Sequence, residues 1–148
     1  MKTLKNFEDF IKEGVVKKRN PDKSRAKFLL EESNKNYSFL LELLEKIEIT
    51  NSNANSFIKQ CHDLLMEMVR AKMLIDGYNA SGSGAHEAEV VYLREIGFVD
   101  KDVQFADQLR YFRNGMLYYG TMLDKEYAKQ VIEFTKRNYL KLKNMIKI

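Results

Sequence analysis

The stretch DKSRAKFLLEESNKNYSFLLELLEKI, Asp22 to Ile47, decides the fold. Within it Ala26, Leu29, Leu30, Ser33, Tyr37, Leu40, Leu41, Leu44 and Ile47 recur every three or four residues, which places one apolar stripe along about six turns of helix. Asp22 stands where a side-chain oxygen can cap the first turn, directly after Pro21, the only proline of the chain. Working outward, Thr50 to Ser56 is polar and asparagine-rich and marks a turn. A further helix is expected from about Asn55 to Asp76, with Phe57, Ile58, Cys61, Leu65, Met68 and Ile75 inward and Gly77 just past its end. Upstream, Leu4 to Glu13 is a short helix candidate that stops near Gly14. Downstream, Ser81 to Gly84 reads as a mobile glycine-serine loop before a short helix from about Ala85 to Ile96, closed by Gly97. Asp100 or Asp102 caps a fifth helix to about Gly115 or beyond. Asp124 opens a last one through Ala128, Val131, Ile132, Thr135, Tyr139, Leu142 and Ile146. No strand-like alternation competes with these periods. The expectation is all-α: an antiparallel bundle of four to five main helices plus a short N-terminal one, forming a single domain over residues 1–148, with 1–20 as N-terminal helix and basic linker.

Composition agrees with this reading. Hydrophobic residues make up 45% of the 148 and charged residues 31%, which sets aside disordered and membrane classes. No run approaches the roughly 18 uncharged apolar residues of a spanning helix, and Met1 to Phe10 lacks the apolar stretch of a secretory leader. The expected location is the cytoplasm. Cys61 is the only cysteine, so neither an internal disulfide nor a cysteine-based zinc site is available, and it reads as a small packed residue. The formal charge of +4 is compatible with a polyanionic partner without requiring one. Basic residues concentrate at Lys17, Lys18, Arg19, Lys23, Arg25 and Lys27, and again at Lys136, Arg137, Lys141, Lys143 and Lys147. These are either solvated helix faces or a phosphate-attracting surface.

On a helical wheel of the fifth helix, Ala106, Leu109, Phe112, Met116 and Leu117 share one arc, and Arg113 falls inside it. A guanidinium directed at an apolar face must meet a carboxylate, reach a solvent cavity or lie at an interface. Glu67, Asp102 and Glu133 are candidate internal partners. The alternative is an anion site, because the planar fork of donors suits phosphate. Gly115, Tyr118, Tyr119 and Gly120 follow where the helix is expected to loosen. In an ideal helix Tyr118 sits roughly 140° around from Arg113, so the two share a site only if the helix ends early or a second subunit supplies one of them. The tyrosines otherwise read as half-buried packing. His62 reads as a structural histidine beside apolar positions, and His86 as a helix-opening residue next to the glycine-rich loop. Metal-spaced ligands, a Gly-x-x-x-x-Gly-Lys phosphate loop and a Ser-His-Asp ordering are all missing from the sequence, so neither a metal nor a cofactor is implied.

Three stretches together resemble the HEPN domains, a family of small helical nucleotide- and RNA-binding proteins. Asp22-Lys-Ser-Arg-Ala-Lys-Phe-Leu-Leu-Glu-Glu is similar to the family's opening long helix. Gly77, a small polar loop, His86-Glu87-Ala88 and Leu93 are similar to the link between its middle helices. Leu109-Arg-Tyr-Phe-Arg113-Asn114-Gly-Met-Leu-Tyr118-Tyr119-Gly120 is similar to its signature, an arginine with a following polar residue and then a histidine. The resemblance covers about Asp22 to Leu142 and implies a homodimer in which Arg113 holds a phosphate. Active members cleave RNA without metal, the histidine moving the proton. Here Tyr118 stands at the histidine's place, and a free tyrosine titrates at about 10, which leaves it a poor base at neutral pH. Members with this arginine and tyrosine arrangement often accompany a nucleotidyltransferase, as in paired toxin and antitoxin systems.

Three readings follow. In the first, a homodimer binds a nucleotide or RNA phosphate through Arg113, with Asn114, Tyr118, Tyr119 and His86 adding contacts, the basic C-terminal helix supplying long-range attraction, and catalysis absent or much reduced. In the second, a metal-independent endoribonuclease draws its proton chemistry from His86 or Tyr118. In the third, the bundle is structural or binds a partner protein, and Arg113 is an internal ion pair.

Overall fold

The computed structural model describes residues 4–148; Met1 to Thr3, part of the stretch read above for a leader, lie outside it. Six helices follow in order: α1 (Phe7–Lys12), α2 (Lys23–Lys46), α3 (Ala54–Asp76), α4 (Ala85–Glu95), α5 (Asp100–Tyr118) and α6 (Lys125–Met145). Two short strands, β1 (Val16–Lys18) and β2 (Tyr78–Ala80), pair antiparallel with Lys17 opposite Asn79. The mostly helical architecture is as expected, and the strand pair is an addition to it. Among the described residues no helix is long and apolar enough to cross a membrane.

Helix α3 is the centre. Twelve of its residues are buried, from Ala54 to Leu74, and α2, α4, α5 and α6 all pack around it. Helix α2 covers it on one side, where Ser33 donates from Oγ to the Leu64 carbonyl at 2.8 Å. Tyr37 stacks on Tyr139 of α6, with ring centroids 3.7 Å apart. Helix α6 lays Ala128, Val131, Ile132, Thr135, Tyr139 and Leu142 inward. Cys61 is buried with a free thiol, and burial pushes that thiol up to about 11, which suits packing rather than reactivity.

The end signals behave largely as their chemistry requires. Asp22 accepts from the Arg25 amide at 3.0 Å and Asp124 from the Tyr127 amide at 2.9 Å. The cap of α5 is Val99 rather than Asp100 or Asp102, both of which lie inside its first turn. There they still complement the helix dipole. Helix α1 is shorter than expected, beginning at Phe7 after Asn6. The turn after α3 carries the strand pair. Gly77 adopts φ +88°, and the Arg19 amide donates to its carbonyl at 2.7 Å. A Cβ at Gly77 would stand 2.7 Å from the Arg19 carbonyl oxygen. Backbone crossing this close joins the linker after α1 to the end of α3.

Three residues expected inside are not. Leu41 on α2, Ile47 just past it and Leu117 on α5 are exposed, because each lies beyond the arc that a neighbouring helix covers. Apolar periodicity extends further along both helices than the packing that uses it.

Replacing Gly77 should therefore cost more than strain alone. We expect Gly77→Ala to lower stability by about 2 to 3 kcal/mol. Gly14→Ala, also at positive φ but with open space around its Cβ, should cost about 1 kcal/mol. Urea denaturation of the two variants measures the difference.

Candidate anion-binding cleft

Three helices turn polar faces toward one another at a cleft of about 180 Å³. Helix α3 supplies His62, Asp63 and Arg70, α4 supplies His86, and α5 supplies Arg110, Arg113, Asn114 and Leu117. The spacing explains the convergence: Asp63 and Arg70 lie two turns apart on one face of α3, and residues 110, 113, 114 and 117 follow the i, i+3, i+4, i+7 rule on α5.

One buried carboxylate organises the wall between α3 and α4. Glu89 is 4% exposed and receives Arg70 through Nε at 2.6 Å and Nη2 at 3.3 Å. His86 Nδ1 lies 3.0 Å from the same carboxylate. A buried anion needs this much compensation, and the paired donors fix the guanidinium plane. Asp107 holds Arg110 at 2.8 Å, one turn away on the same helix.

Arg113 is held more loosely. Its carboxylate partner is Asp63, with Nε to Oδ1 at 3.4 Å and Nη2 to Oδ2 at 3.5 Å. Both contacts lie at the long limit of a hydrogen bond. None of Glu67, Asp102 and Glu133 is its partner. Glu67 is bonded by Asn36 of α2, Asp102 pairs with Arg137 of α6, and Glu133 lines a separate groove between α5 and α6. The Arg113 side chain keeps 24% of its surface exposed, so it faces the cleft rather than the sealed interior. Asp63 also shares a 2.8 Å bond with His62 Nδ1. Burial acts to raise the Asp63 carboxyl, but the hydrogen bonds from His62 and Arg113, with their charges, outweigh it and hold the group below its usual range.

The structure thus brings Arg113, Asn114 and His86 together, and it does not bring Tyr118 or Tyr119 to them. The tyrosines are 69% and 85% exposed at the end of α5 and line no wall of the cleft. His62, read from sequence as structural, does line it, and Arg70 and Arg110 join without having been singled out. Their signal was the one-face spacing on α3 and α5, which becomes visible only when the two polar faces are known to meet. Helix α6 contributes nothing to the cleft. Its Arg137 pairs with Asp102 and lies over Phe134, and Lys141 lies 4.1 Å over the Phe98 ring.

The chain after α5 is pinned by residues that the sequence marks only as a turn. Asn55 donates from its amide to the Thr121 carbonyl at 2.9 Å and accepts from the Leu123 amide at 3.0 Å; Asn51 accepts from the Lys125 amide at 2.9 Å. Gly115 makes room for this return, since a Cβ there would meet Thr121 Oγ1 at 2.5 Å.

Among the described residues no group of three His, Cys, Asp or Glu side chains is placed to hold a metal ion. Fold and cleft together define a mostly helical protein with an arginine- and histidine-lined cavity where three helices meet. No family model, curated protein or solved structure matches the chain.

If Glu89 is the anchor, Glu89→Ala should strand Arg70 and cost about 2 kcal/mol, below the usual range for a broken buried pair because Arg70 is a third exposed. The Glu89→Met, Arg70→Met double variant should regain most of that stability in a thermal melt, since both unpaired charges are then gone.

Proposed function

We propose that the cleft binds the phosphate of a nucleotide or of RNA, with Arg113 as its principal donor and with catalysis absent or weak. The observation that carries this reading is the unequal pairing of the three arginines. Arg70 and Arg110 are engaged at 2.6 and 2.8 Å, whereas Arg113 meets Asp63 only at 3.4 Å or more. An incoming phosphate offers a guanidinium better geometry and more charge than a distant carboxylate does. Asn114 and His86 are placed to add hydrogen bonds, and Arg70 and Arg110 add positive potential. The likeness of the Leu109 to Gly120 segment to the HEPN signature supports the same reading. A nucleotidyltransferase would be the partner protein that the likeness suggests, and the cytoplasm the compartment in which both ligand and partner are found.

Homodimerisation belongs to this proposal. Tyr111, Leu117, Tyr118, Tyr119 and Met122 leave a run of exposed apolar surface at the end of α5, the kind of surface that a second copy covers. Tyr118 and Tyr119 stand outside the cleft of their own chain, so a role for either at the phosphate requires two copies. Sedimentation at micromolar concentration should show a dimer, and Leu117→Glu should give a monomer with an unchanged circular dichroism spectrum.

The second reading, a metal-independent endoribonuclease, is favoured by one feature: His86 lies in the same cleft as Arg113, with Glu89 fixing its ring. Degradation of a mixed RNA in the presence of a chelator separates the two. We expect little activity; robust activity lost in both His86→Ala and Arg113→Ala establishes the nuclease instead.

Binding itself is tested by paired substitutions of opposite sign. Arg113→Ala should weaken binding of a short RNA by roughly ten- to a hundredfold. Asp63→Asn should strengthen it several-fold by releasing Arg113 and removing a negative charge from the cleft. Fluorescence anisotropy at fixed ionic strength reads both. If Arg113→Ala instead lowers the melting temperature sharply with no change in binding, the arginine is a structural ion pair.

A further inference from the structure

Beside the arginine cleft lies a second cavity of about 410 Å³, and Arg70 and His86 line both. This volume falls in the range of small-molecule sites. Its other walls come from Arg25 and Leu29 of α2, Met73 farther along α3, Tyr78 and Asn79 of β2 and Ala85 at the first position of α4. The strand pair unforeseen in the sequence is what builds this wall. Gly77 turns the chain at the end of α3, and β2 then carries Asn79 back along the cavity.

Each part has a use toward one class of ligand. Glu89 holds Arg70 at 2.6 Å and His86 at 3.0 Å, so two planar cationic or aromatic groups are fixed at the seam between the chambers. Flat guanidinium and imidazole groups are surfaces on which unpaired bases stack. Leu29 and Tyr78, both half-buried, supply an apolar wall. The Asn79 amide offers a donor and an acceptor side by side, which is what reading the edge of a base requires. Ala85 keeps the wall of α4 low where a larger side chain would fill the space. Both chambers carry guanidinium groups, Arg25 joining Arg70 here, and the second differs in its larger volume and in the Tyr78 and Asn79 side chains that β2 brings to it.

We infer that the second cavity is a base-binding subsite, receiving the base of the nucleotide whose phosphate Arg113 holds. The inference rests on the phosphate reading of the first cleft. It adds that the ligand is a nucleotide unit rather than a bare phosphate or a sugar phosphate, with Arg70 and His86 between its two ends and Asn79 setting the preference among bases.

The test compares inorganic phosphate, ribose 5-phosphate and each of the four ribonucleoside monophosphates by isothermal titration calorimetry. The proteins are the natural chain, Leu29→Trp, which fills the second cavity from α2, and Asn79→Ala. The best nucleotide should bind the natural protein about tenfold or more tighter than ribose 5-phosphate, the gain expected from stacking one base. Leu29→Trp should abolish that gain while leaving ribose 5-phosphate within about twofold, and Asn79→Ala should flatten the preference among the four bases. Equal affinity of nucleotide and ribose 5-phosphate for the natural protein, or a gain that survives in both variants, overturns the base subsite and leaves the phosphate site standing. If none of the phosphates binds, the phosphate reading itself fails and the base subsite falls with it.

Discussion

A helix that is apolar on most of its circumference must be surrounded, and α3 imposes that constraint on everything else. Its twelve buried residues leave little surface that other helices can decline to cover. Helices α2, α4, α5 and α6 are arranged by the need to do so. The exception is the polar stripe that includes Asp63 and Arg70. Where it surfaces, no neighbour can seal the helix without meeting charge, so α4 and α5 answer it with charge of their own. The cleft is the place where close packing gives way to compensated charge.

Compensation is uneven, and the unevenness has chemical content. Glu89 is almost removed from water, so its two partners cannot leave without exposing a buried anion. Asp63 is half exposed, and water can replace Arg113 beside it at small cost. One arginine is therefore committed to the fold while another is available to a ligand. Arg110, paired along its own helix, stands between these extremes. The sequence poses Arg113 as either an internal ion pair or an anion site; the geometry gives it a weak form of the first, which is compatible with the second.

Helical organisation was legible because its signals are local. Asp22, Gly77 and Asp124 act within one turn of themselves, and the three- to four-residue periods of α2, α3 and α6 are long enough to read. What escaped reading was set at a distance. Strands β1 and β2 have three residues each, too few for alternation to register, and their pairing depends on Gly77 meeting Arg19 across the fold. The asparagines at 51 and 55 look like turn residues, yet their side chains hold a loop some seventy residues away. Likewise the partner of Arg113 is fifty residues distant, and a wheel drawn on α5 alone cannot show which arc is covered. That is why Leu117 was expected inside, and why Arg70, Arg110 and His62 did not stand out beside Arg113, Asn114 and His86.

The central claim, that loosely held Arg113 is the phosphate donor of the cleft, is tested most directly at the guanidinium itself. In a two-dimensional nitrogen-proton spectrum, the arginine Nε–Hε resonances can be followed as a nucleoside monophosphate is added. The account predicts that Arg113 shifts most, that Arg70 and Arg110 move less, and that Arg137 on α6 stays still. Shifts confined to Arg137 and the lysines of α6, with Arg113 unmoved at saturation, would contradict it.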